Sequence, residues 1–270
     1  YQMDNDRLDM LQELVTKFNN ARPADQQRAL NDIINYIVDD YRHVLLAPHK
    51  RMDLVDGALR SDGKATVKVD DNPQGIAMLD MELPVHRITP TTGDKSNFIK
   101  YLMEQVVELR TKFGMFVSME MSRKTFIKSI VGSKDFGEFY KQSFAQKEVQ
   151  LSSGLMSSEM ATTIFQGLGL PPIVINEDLV ELADGTMKQV FKDNRISLFT
   201  TAKQGKMRWH TPYEITDPVP GKNYTRSEGG MYISNVRTDE GRFMEYGCEW
   251  IPEYTAPNKI VILDLDTMLA

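Results

Sequence analysis

Between Phe98 and Phe116 an apolar residue recurs every three or four positions: Phe98, Leu102, Val106, Leu109, Phe113, Phe116. One face of an α-helix meets that spacing and no strand does. With Asp94 or Ser96 as cap, a helix from Ser96 to Met121 would run roughly 39 Å at 1.5 Å per residue. Opposite charges four apart, Lys100 with Glu104 and Glu108 with Lys112, suit its outer face. Gly114 is the weak point of the pattern. A helix with one apolar stripe is marginal in water and must lay that stripe on another surface. Phe98, Leu102, Val106, Leu109 and Phe113 are therefore expected in a core.

A second feature precedes it. Leu79-Asp80-Met81-Glu82-Leu83-Pro84-Val85 alternates apolar and polar, the period of a strand with one buried face. Lys64 to Val69 supplies a partner strand, and the turn clusters Ser61-Asp62-Gly63 and Asp70-Asp71-Asn72-Pro73 frame it. Pro84 confines its strand to an edge or an end. A lone two-stranded hairpin is at best marginally stable, so this one needs a surface to lie on, in its own chain or in a neighbour. Before it, Leu8, Leu11, Leu14, Val15 and Phe18 form one helical stripe, broken by Asn19 to Pro23. Leu30, Ile33, Ile34, Ile37, Val38, Tyr41 and Leu45 form another, expected to end by Ala47-Pro48, because the residue before proline avoids helical geometry.

The later chain is strand-rich. After a weaker mixture over 124–150, Ser157 or Ser158 caps a helix through Gln166. That helix stops at Gly167-Leu168-Gly169-Leu170-Pro171-Pro172. Strands are expected over Ile173–Asn176, Lys188–Phe191, Arg195–Thr200, Met231–Val236, Arg242–Trp250 and Lys259–Leu265. Helices early and antiparallel strands late define an α+β class.

Composition narrows the function. The 32 basic and 38 acidic residues leave a net charge of −6, unsuited to a domain whose task is gripping nucleic-acid phosphates. Short basic stretches, His49-Lys50-Arg51 and Lys203 to Arg208, read as solvated turns. No apolar run approaches the ~20 residues that span a bilayer, so no membrane partner is expected. The first residues carry no secretion signal, and the single Cys248 suits a reducing compartment.

Chemistry-bearing patterns are scarce. There is no phosphate loop, no HExxH pair and no nucleophile elbow. His43, His49, His86 and His210 have no partner at metal-binding spacing. Cys248 reads as a small buried hydrophobe. Asp264 and Asp266 share one face of the last strand; paired carboxylates can bind a cation or work as acid and base, but they also suit a solvent-facing edge. No catalytic, cofactor or metal residues are expected, and no enzyme. Sixteen methionines, with Met115, Met119 and Met121 clustered, suit either core filling or contact surfaces that repack. The parsimonious reading is that function lies in contact: protrusions their own domain cannot cover are covered by copies of the chain. The candidate subunit interface is Lys64, Val67, Val69, Leu79, Met81, Leu83 and Val85 on the hairpin, with Leu11, Leu14 and Phe18 on the first helix.

The order of elements resembles the major capsid proteins of tailed phages, the Hong Kong ninety-seven-type fold. Local likeness lies in Leu170-Pro171-Pro172-Ile173-Val174-Ile175-Asn176 followed by Asp184-Gly185-Thr186, and in Phe191-Lys192-Asp193-Asn194-Arg195-Ile196-Ser197-Leu198. It continues in Gln204-Gly205-Lys206 with Thr211-Pro212-Tyr213-Glu214. The resemblance implies an N-terminal helical arm (1–48), an extended hairpin loop (49–93), and a peripheral domain with a spine helix that also receives C-terminal strands (94–150). It implies an axial domain with closing strands over 151–270. It further implies self-assembly into hexamers and pentamers of an icosahedral head around double-stranded DNA, the DNA touched only weakly and without specificity. Further implied partners are portal, scaffolding or decoration proteins. The implied location is the virion, after assembly in the host bacterial cytoplasm. The alternatives are an encapsulin-type shell, or a small hydrolase or metal-dependent enzyme using Asp264 and Asp266 with a recruited His210.

Overall fold

The structure, a computed structural model, describes residues 2–3, 5–68, 78–144, 158–182, 184–238 and 241–270. In chain order, β1 (Gln2–Met3), α1 (Asn5–Asn19) and α2 (Gln26–Asp62) lead to β2 (Lys64–Lys68), β3 (Met78–Glu82) and β4 (His86–Ile88). Then come α3 (Phe98–Phe113), β5 (Ser118–Ser122), and α4 (Arg123–Thr125) running into a π-helical turn over Phe126–Val131. They are followed by α5 (Lys134–Phe144) and α6 (Ser158–Gly167). Strands β6 (Ile173–Asn176), β7 (Leu179–Glu181), β8 (Met187–Gln189), β9 (Arg195–Phe199) and β10 (Gly205–His210) precede α7 (Tyr213–Thr216). The last elements are β11 (Asn223–Arg226), β12 (Tyr232–Thr238), β13 (Gly241–Gly247), β14 (Glu249–Tyr254), β15 (Val261–Asp264) and α8 (Asp266–Leu269). The fold is α+β, as the patterns implied. The chain divides into two compact units, Asp53–Lys206 with Tyr254–Ala270, and Tyr1–Met52 with Met207–Glu253.

The larger unit is built on a five-stranded sheet in the order β4-β15-β9-β5-β6. The expected antiparallel pattern holds for β15–β9 and β9–β5, whereas β15–β4 and β5–β6 are parallel. The sheet is therefore mixed, and its strands are joined by long connections, among them those that carry α3 between β4 and β5 and α6 between β5 and β6. Met119, Met121, Ile173, Ile196, Leu198, Val261 and Leu263 from its strands join one core with Phe98, Ile99, Leu102, Val106 and Leu109 of α3. Phe136 and Phe165 come into the same core from α5 and α6. The opposite face carries Phe199 and Ile262, with Ile260 beside them. Strand β9 is buried along its whole length. The compact units do not follow a boundary at 150/151, since β6 and β9 share a sheet with β5.

Two helix ends differ from expectation. Helix α2 does not stop at Pro48 but continues to Asp62, so residues 49–62 are helical and the hairpin begins only at Lys64. An interior proline costs about 3 kcal/mol, and the turns beyond it bury Val55 and Leu59, apolar side chains worth roughly 1.5–3 kcal/mol each. Helix α3 ends at Phe113, not Met121. Gly114 takes φ +94°, a conformation that suits glycine and terminates the helix, and the following Ser118–Ser122 becomes β5. At the start of α3, Asp135 accepts a hydrogen bond from Lys100 N at 2.9 Å, a cap supplied from α5 rather than by Asp94 or Ser96. Asp94 instead accepts from Thr91 N at 2.8 Å, in the 3₁₀ turn before α3.

The smaller unit contains an antiparallel sheet in the order β1-β13-β12-β11 and a two-stranded ribbon of β10 with β14. The single strand expected over Arg242–Trp250 is two, broken at Cys248. Met231, Ile233 and Ser234 are buried. Ser234 Oγ and Lys222 Nζ both donate to Glu245, which lies below the usual carboxylate range chiefly because of Lys222.

Candidate functional site

Strands β2 and β3 pair antiparallel, Lys64 opposite Glu82 and Val67 opposite Leu79, and join no third strand among the described residues. On the polar face Lys64 Nζ lies 2.9 Å from Glu82, and Thr66 Oγ1 donates to Asp80 at 2.6 Å. Both members of that ion pair are more than half exposed, so it contributes well under about 1 kcal/mol. On the apolar face Ala65 is buried and Val67 and Met81 are half-buried. Leu83 and Val85 pack against Phe199, Ile260 and Ile262. The root of the hairpin is thus seated on its own body. Val69, and the side chain of Leu79, lie outside the described residues.

Where the hairpin leaves the body, six charged side chains meet. Arg87 on β4 donates from Nη2 to the backbone oxygen of Asp62 (2.6 Å) and to its Oδ1 (2.9 Å), and from Nη1 to Asp264 Oδ2 (3.0 Å). Arg195 holds Asp264 at 2.7 Å and Asp266 at 2.7 Å, with Asp62 at 3.5 Å. Lys192 Nζ lies 2.9 Å from Asp62 Oδ2. Burial works to raise the Asp62 pKa, but Lys192 and Arg87 hold it below the usual carboxylate range. Hydrogen bonds from Arg195 and Asn194 bring Asp266 down to about 2.

Asp264 and Asp266 bind Arg195, and Asp264 also binds Arg87, so guanidinium groups neutralise their charge. His210 pairs with Glu249 at 2.8 Å. Among the described residues no group of three His, Cys, Asp or Glu side chains is placed to hold a metal ion. His49 makes a tilted ring contact with Trp250 at 4.7 Å between centroids, and His86 one with Phe113 at 5.3 Å. Cys248 is half-buried, and burial pushes its thiol up. A shallow depression of about 440 Å³ is lined by Arg123, Lys124, Ile127, Lys128, Asn176, Glu177, Leu179 and Gln189. Arg123 is paired to Glu177 at 2.7 Å and Lys124 to Asp193 at 2.8 Å.

A buried polar cluster escaped the sequence reading. Arg60 Nη1 donates to both oxygens of Glu120 at 2.7 Å, and Asn176 Nδ2 donates to Glu120 at 3.1 Å. Arg60 Nε donates to Asp56, which also accepts from the Tyr254 hydroxyl at 2.5 Å. Burial first, then Asp56, raises the Tyr254 pKa. Ser197 Oγ donates to the Arg60 carbonyl at 2.6 Å, so the last turns of α2 are pinned to β9 and β5. The local signal was only the Asp56–Arg60 spacing; Glu120 alternates with Met119 and Met121, and its partner is distant in sequence.

On the first helix Leu8, Leu11, Leu14 and Phe18 are half-buried, while Met10 and Val15 are exposed. On α2, Ile33 is half-buried and Leu30 and Ile34 are exposed. The side chains of Ile37, Val38, Tyr41 and Leu45 lie outside the described residues. In contrast, Phe98, Leu102, Val106 and Leu109 are at most 2% exposed, with Phe113 packed against their cluster.

No protein-family model matches the chain, and no curated protein does either. Solved structures do. A candidate capsid protein of a prophage in E. coli CFT073 superposes with a TM-score of 0.60 over 91% of this chain and 71% of its own, at 14% identity. A phage-related protein from Bordetella bronchiseptica RB50 aligns over 96% of this chain and 73% of its own at 11% identity. Its TM-score of 0.40 adds nothing to the fold assignment. The chain has a phage capsid-like α+β fold. No helix among the described residues is long and apolar enough to cross a membrane.

Proposed function

We propose that this chain is the major subunit of a phage head, copies of it associating into hexamers and pentamers that close an icosahedral shell around double-stranded DNA. The observation that carries this reading is the capsid-like fold over 91% of the chain. The hairpin, without a third strand among the described residues, and the partly uncovered apolar stripes of α1 and α2 support it. In this reading α1 and the first part of α2 are the arm, and β2 with β3 is the extended loop. The spine helix is α3, and the later chain supplies axial and closing elements. Of the expected interface residues, Leu83 and Val85 are taken up by the chain's own body, which leaves Lys64, Val67, Val69, Leu79 and Met81, with Leu11, Leu14 and Phe18, to contact neighbouring copies. The protein is structural, not catalytic, and needs no cofactor. Portal, scaffolding or decoration proteins meet it at special positions of the shell, and it resides in the virion after assembly in the host cytoplasm. A net charge of −6 disfavours tight phosphate binding, which suits a wall that must release its genome.

Electron microscopy and mass photometry of the purified chain test this. Rings or closed shells are expected. A strict monomer at every concentration and salt condition overturns the reading, and a shell that co-purifies with an enzyme cargo replaces the phage head by an encapsulin-type container.

A further inference from the structure

We propose that the ion network of Asp62, Arg87, Lys192, Arg195, Asp264 and Asp266 is a clamp that sets the direction in which the β2–β3 hairpin leaves the body, with Arg87 as its positioning residue.

The hairpin has two legs. The outgoing leg starts where α2 ends at Asp62 and turns at Gly63, whose φ of +68° is in the left-handed region. An added Cβ there would meet Val85 Cγ2 at 2.7 Å. The returning leg runs through Leu83, Pro84 and Val85 into β4. Below the β2–β3 ladder one further backbone hydrogen bond joins the legs, Leu83 N to Gly63 O at 2.8 Å, and the returning leg is tied to the body where His86 N donates to Ile260 O at 2.9 Å and β4 pairs with β15. The ladder holds the legs to each other, but β2 and β3 join no third strand among the described residues, so the ribbon as a whole is left to swing about Gly63.

Arg87 removes that freedom. Its guanidinium reaches from the returning leg to both the carbonyl and the carboxylate of Asp62 on the outgoing leg, and also to Asp264 on β15. A planar fork with donors in fixed directions constrains angle as well as distance. Asp62 and Asp264 are fixed in turn by Arg195, whose side chain is only 4% exposed, and Lys192 holds Asp62 from the loop after β8. Three acids meet three bases, so the network is neutral overall and half-shielded from water, where such bonds are stronger than at an open surface. The apolar seat of Leu83 and Val85 fixes where the root lies; the clamp fixes how the ribbon is aimed. The consequence for a neighbouring subunit rests on the shell reading above, but the clamp itself does not.

The test is a distance distribution. In the full chain with Cys248→Ser, spin labels at Asp80→Cys, further out along the ribbon, and Lys141→Cys report the hairpin against α5 by double electron–electron resonance. Amide exchange is followed in parallel. The parent should give one narrow distribution. Arg87→Ala should widen it about twofold and speed exchange of the Gly63 and Leu83 amides at least about tenfold, with the Leu102 and Leu198 amides unchanged. Arg87→Lys should fall between. An unchanged distribution in Arg87→Ala, or exchange accelerated equally in the core, overturns the clamp. If Arg87→Ala does not fold, Lys192→Ala should shift both readouts in the same direction by less, and its failure to do so overturns the proposal. A parent that never assembles but keeps the narrow distribution sinks the shell and spares the clamp.

Discussion

Helices α1 and α3 are near twins in sequence. Each carries one apolar stripe at three- and four-residue spacing, and each shows a polar outer face. Their fates differ. Phe98, Leu102, Val106 and Leu109 of α3 are sealed against a five-stranded sheet and two further helices, whereas Leu8, Leu11, Leu14 and Phe18 of α1 stay half-buried with Met10 exposed. Periodicity therefore says that a surface will be covered, not what covers it. For α3 the cover is its own unit; for α1 the proposed cover is another copy.

The largest expected effect breaks the α3 side. Leu102→Ala should destabilise the larger unit by about 3 kcal/mol or more, because the site is fully enclosed and leaves a cavity, as chemical denaturation would register. A loss under about 1 kcal/mol would mean α3 is no more committed to its core than α1. Next comes the buried pair behind it. Arg60→Ala should cost about 3 kcal/mol by leaving Glu120 charged and unpaired, and Glu120→Gln in the same chain should recover part of that. On the other side of the comparison, Leu11→Ala should cost under about 1 kcal/mol in the unassembled chain, since the side chain already touches water. It should nonetheless raise the concentration needed for assembly, measured by light scattering. Equal assembly with and without Leu11 would remove α1 from the interface.

The smallest effect concerns acid. Asp62 and Asp266 are depressed in the folded chain, Asp266 to about 2. A depressed carboxylate stabilises the fold above its unfolded pKa, here 3.8, and that contribution is lost as pH falls through the folded value. Stability should therefore fall between pH 4 and about 2, and Asp266→Asn should flatten that slope. Asp266 is 56% exposed, so screening limits its share to well under about 1 kcal/mol. A slope unchanged in the variant would assign the acid sensitivity elsewhere.

Much of the fold was legible. The α3 stripe, the pairing of 64–68 with 78–82, the stop of α6 before Pro171-Pro172, and β6, β9 and β15 all follow from local periodicity and turn residues. The misreadings share a cause. Locally Pro48 signals a helix stop, which burial of Val55 and Leu59 in the turns beyond it overrides. Phe113 and Phe116 extend the helical stripe toward Ser118–Ser122, but Gly114 ends the helix, and pairing with β9 on one side and β6 on the other makes that segment a strand. The apolar alternation of arm and hairpin is legible in the sequence, whereas the ion partners of Arg87, Asp62, Arg60 and Glu120 are not. Apart from Asp56, four residues from Arg60, their partners lie 25 to 177 residues away, and an ordinary surface charge has the same sequence signature.

The amino-acid order by itself determined the alternation of helical and strand periods, the near absence of catalytic spacing, and an apolar supply larger than single stripes can hide locally. Only the tertiary structure decided which stripe is sealed and which is left half-open, and that Asp264 and Asp266 hold arginines at the hairpin's root. The physical reason is range. Periodicity and turn chemistry act over a few residues, while burial and charge pairing depend on what the folded backbone brings within a few ångströms.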